Sequence, residues 1–288
     1  KDLNRIITTG LERQKEKLEE ENRKKYDLSG SGDYTDNLSR YEYVEIEAWG
    51  GGEAGHIKGK AKSEESRIGM PGDYVKAKLK IDPNYPYIKV EVTEGGGNVD
   101  WDIKNKDGGP TIIKMCSSNS VGNCKTIIEV AGGGEHKEYG NPSKKIETKI
   151  YEDAKQVEEP TTKIATLSHT KNRDLQVAYI KDGRVRYKSA SIKEENDYEN
   201  DEPGSGGYID QSAGTYGKGS AGHAIIKPTM GKIETKKIVK AIDKLLDEKS
   251  EKNEIGDILD DPLIMKLDSK ITETIKNKIE DELACKAQ

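Results

Sequence analysis

A chain of 288 residues has room for one large domain or two ordinary ones. Its 48 Lys and Arg nearly cancel 53 Asp and Glu, and the net charge of −5 argues against generic nucleic-acid binding. No run approaches the roughly 18 apolar residues of a membrane-spanning helix, and the 30 glycines do not fall at every third position, which excludes collagen.

What remains is a highly charged, glycine-rich chain with few large apolar residues. Leu, Ile and Val together number 54, and there is no Phe, while Tyr reaches 14. The chain begins with Lys rather than Met, so the expectation is a processed or incomplete chain, with room for a missing signal or anchor upstream of Lys1.

Residues 1–28 are expected to form a stem helix. Leu3, Ile7, Leu11 and Leu18 make a narrow apolar stripe, and Glu19–Arg23, Glu20–Lys24 and Glu21–Lys25 are favourable i,i+4 pairs. Gly10 weakens the helix. Residues 29–230 are expected to form a glycine-rich antiparallel β domain. Tyr43–Trp49 alternates and runs into Gly50-Gly51-Gly52. Asp73–Ile81 alternates after the turn Met70-Pro71-Gly72. Ile88–Glu94 runs into Gly95-Gly96-Gly97, and Thr126–Ala131 into Gly132-Gly133-Gly134. Alternation with one apolar face marks a half-buried strand, and three strands ending in glycine triplets form an internal repeat.

A charged insert is expected over 143–203. Within it, Leu175–Ile180 and Arg184–Ile192 flank Asp182-Gly183, a strong hairpin signal because Gly accepts positive φ. Seven glycines crowd 204–222 before Ala224-Ile225-Ile226. Residues 231–288 are expected to be helical. Pro262 reads as a helix start, and Ile264, Leu267, Ile271, Ile275, Ile279 and Leu283 share one face. The expected class is therefore α+β, with helices at both ends of the β domain.

Chemistry-bearing motifs are few. Gly217-Lys218-Gly219-Ser220-Ala221-Gly222 matches the dinucleotide fingerprint, but no strand leads into it and no helix signal follows. Cys116 and Cys124 bracket a short polar loop, which suggests a local disulfide in an oxidising compartment; two reduced thiols are the rival reading, and Cys285 is left over. His56, His136 and His223 sit beside glycines, and Asp100, Asp102, Asn105 and Asp107 precede Gly108-Gly109, but neither set has the spacing of a metal site. No catalytic motif is present, so no catalytic residue, metal or cofactor is expected and the chain is read as non-enzymatic.

Glycine permits close backbone approach and extended helices that stack with little side-chain volume. The ordered motifs G-x-P-G-D-Y-V, I-x-V-x-V-x-x-G-G-G, V-A-G-G-G and G-T-Y-G-K-G-S-A-G-H-A-I-I over 29–227 resemble the glycine-rich domain of phage tail-fibre proteins and of some bacterial surface and pilin-like proteins. That resemblance implies a structural or recognition role outside the cell. The expected function is an extracellular, self-assembling subunit of a surface filament, with the stripe residues of both ends in the assembly contacts. Tyr139, Tyr208 and Tyr216 beside glycines are candidate contact residues. An adhesin that binds a host-surface or glycan receptor is the alternative, and a polysaccharide-acting enzyme the remote one.

Overall fold

In this computed structural model, the described residues are 27–29, 32–57, 66–97, 107–119, 123–134, 137–138, 141–167, 173–190 and 202–229, together with residues 13, 16, 273, 276 and 277. The chain divides into two compact units. One comprises Lys25–Ser39 and Tyr43–Pro228, and the other comprises Lys1–Lys24, Arg40–Glu42 and Thr229–Gln288. The account below concerns the first.

Its architecture rests on two antiparallel five-stranded sheets. The first sheet has the order β1 (Asp27–Ser29), β16 (His223–Thr229), β3 (Tyr43–Trp49), β4 (Tyr74–Lys80), β11 (Thr161–Lys163). The second has the order β10 (Lys149–Ile150), β7 (Cys124–Val130), β6 (Thr111–Cys116), β5 (Tyr87–Val92), β2 (Gly32–Asn37). Three two-stranded ribbons complete it: β8 (Lys137–Glu138) with β9 (Asn141–Lys145), β12 (Gln176–Lys181) with β13 (Arg184–Ser189), and β14 (Ile209–Asp210) with β15 (Thr215–Tyr216).

Period-2 sequence dictates the core. The register sets Val44 opposite Leu79, Ile46 opposite Ala77 and Ala48 opposite Val75, all buried. In the second sheet Ile88 faces Met115, Val90 faces Ile113, and Ile113 faces Ile128, again all buried. Side chains of both sheets line one internal space, among them Val44 and Leu79 from the first and Met115 and Ile127 from the second. The two apolar faces therefore meet as a sandwich.

The residues of β3 on the other face do not all see water. Trp49 is 5% exposed and packs on Tyr74, ring centroids 5.2 Å apart. Its Nε1 donates to the Ile180 carbonyl on β12 at 2.9 Å. The β12–β13 ribbon thus covers one end of the first sheet. Its turn has φ of 51° at Asp182 and 70° at Gly183, the two positive values of a type I′ hairpin. The charged stretch 143–203 is more than an insert, since it also supplies the edge strands β10 and β11.

The α+β expectation is corrected. The described residues are 46% strand and 3% helical, with no helix among them. Every buried apolar side chain of the described residues lies within the span from Leu28 to Pro228. The physical reason is that strand faces and glycine segments fill this interior by themselves, so no amphipathic helix is needed to cover a sheet. Most of the residues expected in the terminal helices fall outside the described set.

Candidate functional site

The strands β3, β5 and β7 lead into segments that hold the glycine triplets, and β4, β6 and β16 start directly after glycine-containing segments. These segments, 50–56, 67–73, 93–97, 107–110, 131–134, 204–208 and 217–222, gather into a bundle joined by backbone hydrogen bonds.

The bonding repeats every third residue. Gly50 N donates to Asp73 O at 3.1 Å, Glu53 N to Met70 O at 2.8 Å, and His56 N to Arg67 O at 2.9 Å. Gly52 N donates to Ser220 O and Gly55 N to Gly217 O, at 2.8 and 2.9 Å. Between these, Gly51 N donates to Gly109 O at 2.8 Å. One segment thus bonds three neighbours in rotation. Elsewhere Gly69 and Gly72 donate to Gly207 and Gly204, and Gly219 and Gly222 to Gly96 and Thr93. A repeat of three without hydrogen bonds inside the segment is the repeat of a polyproline II helix.

This explains the triplets. A segment that meets neighbours on three sides leaves no room for a Cβ at the positions where those backbones press closest. A Cβ on Gly52 would collide with the Ser205 carbonyl, and one on Gly69 with that of Glu53. Neither residue has positive φ, so close approach rather than backbone freedom demands glycine here.

Charged and aromatic residues sit where the bundle leaves side space. Glu53 is 1% exposed. Its carboxylate takes a two-pronged contact from Arg67, Nη1 to Oε2 and Nη2 to Oε1 at 2.7 Å each, and accepts from Met70 N at 3.0 Å. Such a pair fixes geometry well, and breaking one side leaves an uncompensated buried charge. Asp73, also 1% exposed, accepts from Ala165 N at 2.8 Å and from Thr148 Oγ1 at 2.5 Å. It fastens two points of the charged stretch to the foot of the bundle.

The residues singled out from sequence fall as follows. Cys116 and Cys124 are opposite each other across β6–β7 and form a disulfide. Tyr208 is 2% exposed and lies against Gly217, so its ring belongs to the bundle interior rather than to an outer face. Tyr216 is half-buried against the cluster of Ile68, Ala178 and Ile209. Tyr139, His136, Leu3, Ile7, Leu11, Leu18, Ile271, Ile275, Ile279 and Leu283 lie outside the described residues. The fingerprint-like 217–222 is a bundle segment that leads into a strand, β16, and not into a helix. His56 bridges to Arg67 within the bundle, while His223 Nε2 lies 2.6 Å from Asp27 Oδ1 and joins β16 to β1. Among the described residues no three His, Cys, Asp or Glu side chains converge as a metal site would require. Sequence reasoning missed Glu53, Arg67 and Asp73, because their partners are brought to them by the tertiary fold and not by local spacing.

What this arrangement offers is mechanical. It ties seven distant segments together through main-chain groups, which side-chain chemistry at the surface cannot disturb. The disulfide adds a covalent tie at the β6–β7 end, and among the described residues no helix is long and apolar enough to cross a membrane. No protein-family model matches the chain, and no curated protein matches it either.

Proposed function

We propose that the chain is an extracellular structural protein, a subunit of a self-assembling surface filament, whose glycine bundle and sandwich form the outward head. The observation that carries the reading is the bundle itself. A lattice of main-chain bonds gives a rigid head with little side-chain volume, suited to a protein that must persist outside the cell. The disulfide supports an oxidising location. The stripes Leu3, Ile7, Leu11, Leu18 and Ile271, Ile275, Ile279, Leu283 are the assembly contacts in this reading.

The test is polymerisation of the full chain under oxidising conditions. Sedimentation velocity across a concentration series, with negative-stain images at the top, is expected to show fibres. Leu11→Asp and Ile275→Asp are expected to abolish them and leave the β signature of the head in circular dichroism. A species that stays monomeric at the highest concentration overturns the filament reading. Binding of that monomer on a glycan array would then support the adhesin instead.

A further inference from the structure

The strands that feed the bundle carry a second feature at their opposite ends. Val44 lies near the start of β3, Leu79 near the end of β4, Met115 near the end of β6, and Ile127 mid-way along β7. With Ile81 and Ala154 they line a cavity of about 140 Å³. These six side chains are between 1% and 8% exposed. An apolar cavity of roughly this size accepts a benzene-sized ring.

The mouth of the cavity is polar. It is framed by a strap, residues 151–157, that crosses from the second sheet to the first. Tyr151 N donates to Ile127 O at 2.9 Å, Lys80 N to Lys155 O at 2.8 Å, and Val157 N to Lys78 O at 2.9 Å. Lys125 Nζ pairs with Asp153 Oδ1 at 3.2 Å, and Lys155 Nζ with Asp82 Oδ2 at 3.1 Å. Lys125 Nζ also lies 4.5 Å from the centroid of the Tyr85 ring. Lys80 and Glu152 complete the rim, so its ammonium and carboxylate groups balance.

An apolar floor under a few convergent polar groups is the usual composition of a small-molecule site. The chemistry of each part narrows the ligand. The floor includes the Met115 thioether, which favours an aromatic ring over a saturated one. The balanced rim favours a neutral ligand. A hydroxyl suits it best, since it can donate to a carboxylate or accept from an ammonium. We propose that this cavity is a binding site for a small neutral aromatic alcohol, with its ring among Val44, Leu79, Met115 and Ile127 and its hydroxyl at the Lys125–Asp153 pair. The site stands independently of the filament reading, because no assembly contact contributes to it.

The test uses the full chain labelled at its methionine methyl carbons. Met115 reports on the cavity, and Met70, in the glycine bundle, is the control. Phenol is expected to shift the Met115 signal saturably and leave Met70 in place. Benzoate is expected to bind at least about tenfold more weakly, a difference of about 1.4 kcal/mol. Ile127→Phe, which fills the floor, is expected to abolish the shift. Should that variant fail to fold, Ala154→Leu on the strap blocks the same space from the solvent side. Parallel movement of Met70, equal affinity for benzoate, or phenol binding that survives in a folded, filled variant would overturn the proposal.

Discussion

The sandwich and the glycine bundle are two interiors built on opposite principles. In the sandwich, Ile46, Ile113 and Ile128 are fully buried and cohesion comes from apolar side chains. In the bundle, the backbones themselves touch, and cohesion comes from main-chain hydrogen bonds that repeat every third residue. The comparison accounts for the composition. A chain with 54 Leu, Ile and Val among 288 residues can form an ordered interior because part of that interior needs no side chains. It also separates two kinds of fragility. Side-chain cores relax around a small cavity, whereas a backbone lattice has nothing soft to move.

The largest expected effect tests that difference directly. Gly52→Ala sets a methyl group against the Ser205 carbonyl, and Gly69→Ala one against the Glu53 carbonyl. Each is expected to cost about 4 kcal/mol or more, or to prevent folding, because overpacking here has no flexible side chain to displace. Gly214→Ala is the control. It has open space and a φ of +65°, so only backbone strain of about 1 kcal/mol is expected. Urea denaturation of the three variants measures this, and equal costs would show the bundle to be loosely packed. In the sandwich, Ile113→Ala is expected to cost about 3 kcal/mol, within the usual range for a buried aliphatic truncation, with a folded protein surviving.

Next in size is the disulfide. It closes a short loop at the end of β6–β7, far along these strands from the bundle. Replacing both Cys116 and Cys124 by Ser is expected to lower stability by about 2.5 kcal/mol, from the entropy regained by the unfolded chain. The loss should be the same in the Gly214→Ala background, because the two sites share no partners. A strongly non-additive double variant would mean that the disulfide loop and the β14–β15 turn are coupled more tightly than their contacts suggest.

The two regions also differ in how far sequence alone reveals them. The alternation of Tyr43–Trp49, of Asp73–Ile81 and of Ile88–Glu94 marks strands found at Tyr43–Trp49, Tyr74–Lys80 and Tyr87–Val92. Asp182-Gly183 marks its turn, and the spacing of Cys116 and Cys124 marks their bond. These are local signals. The glycine triplets are visible as well, but their partners are not. Nothing in Gly50–Gly52 points to Gly109 or Ser220, because glycine carries no side chain to encode a partner. Local signals do not encode the pairing of β1 with β16, almost 200 residues apart in sequence, or the Glu53–Arg67 pair either. Nor do they encode the way residues 143–203 finish both sheets. The terminal stripes carry helical periodicity, but the buried apolar side chains of the described residues lie on strands and on the segments that join them.

The smallest effect concerns the seam where the two interiors meet. Tyr74 follows the bundle segment 67–73 directly and opens β4, with its ring against Trp49 and its hydroxyl donating to Glu47 Oε1 at 2.8 Å. Burial, and then the hydrogen bond to the Glu47 carboxylate, push its pKa well above the ordinary tyrosine value. The folded chain therefore holds this proton more tightly than the unfolded chain does. The resulting stabilisation is whole below about pH 10, the unfolded value, and is lost as pH rises through the range above it. Tyr74→Phe keeps the ring and removes the hydroxyl, at an expected cost of about 1 kcal/mol near neutral pH. The gap between wild type and variant should hold steady up to about pH 10 and narrow beyond it, as urea denaturation at pH 8 and pH 11 would show. A gap unchanged at pH 11 would mean that the Tyr74 hydroxyl does not stay protonated at the seam, and that the junction of sheet and bundle is more open to water than its packing indicates.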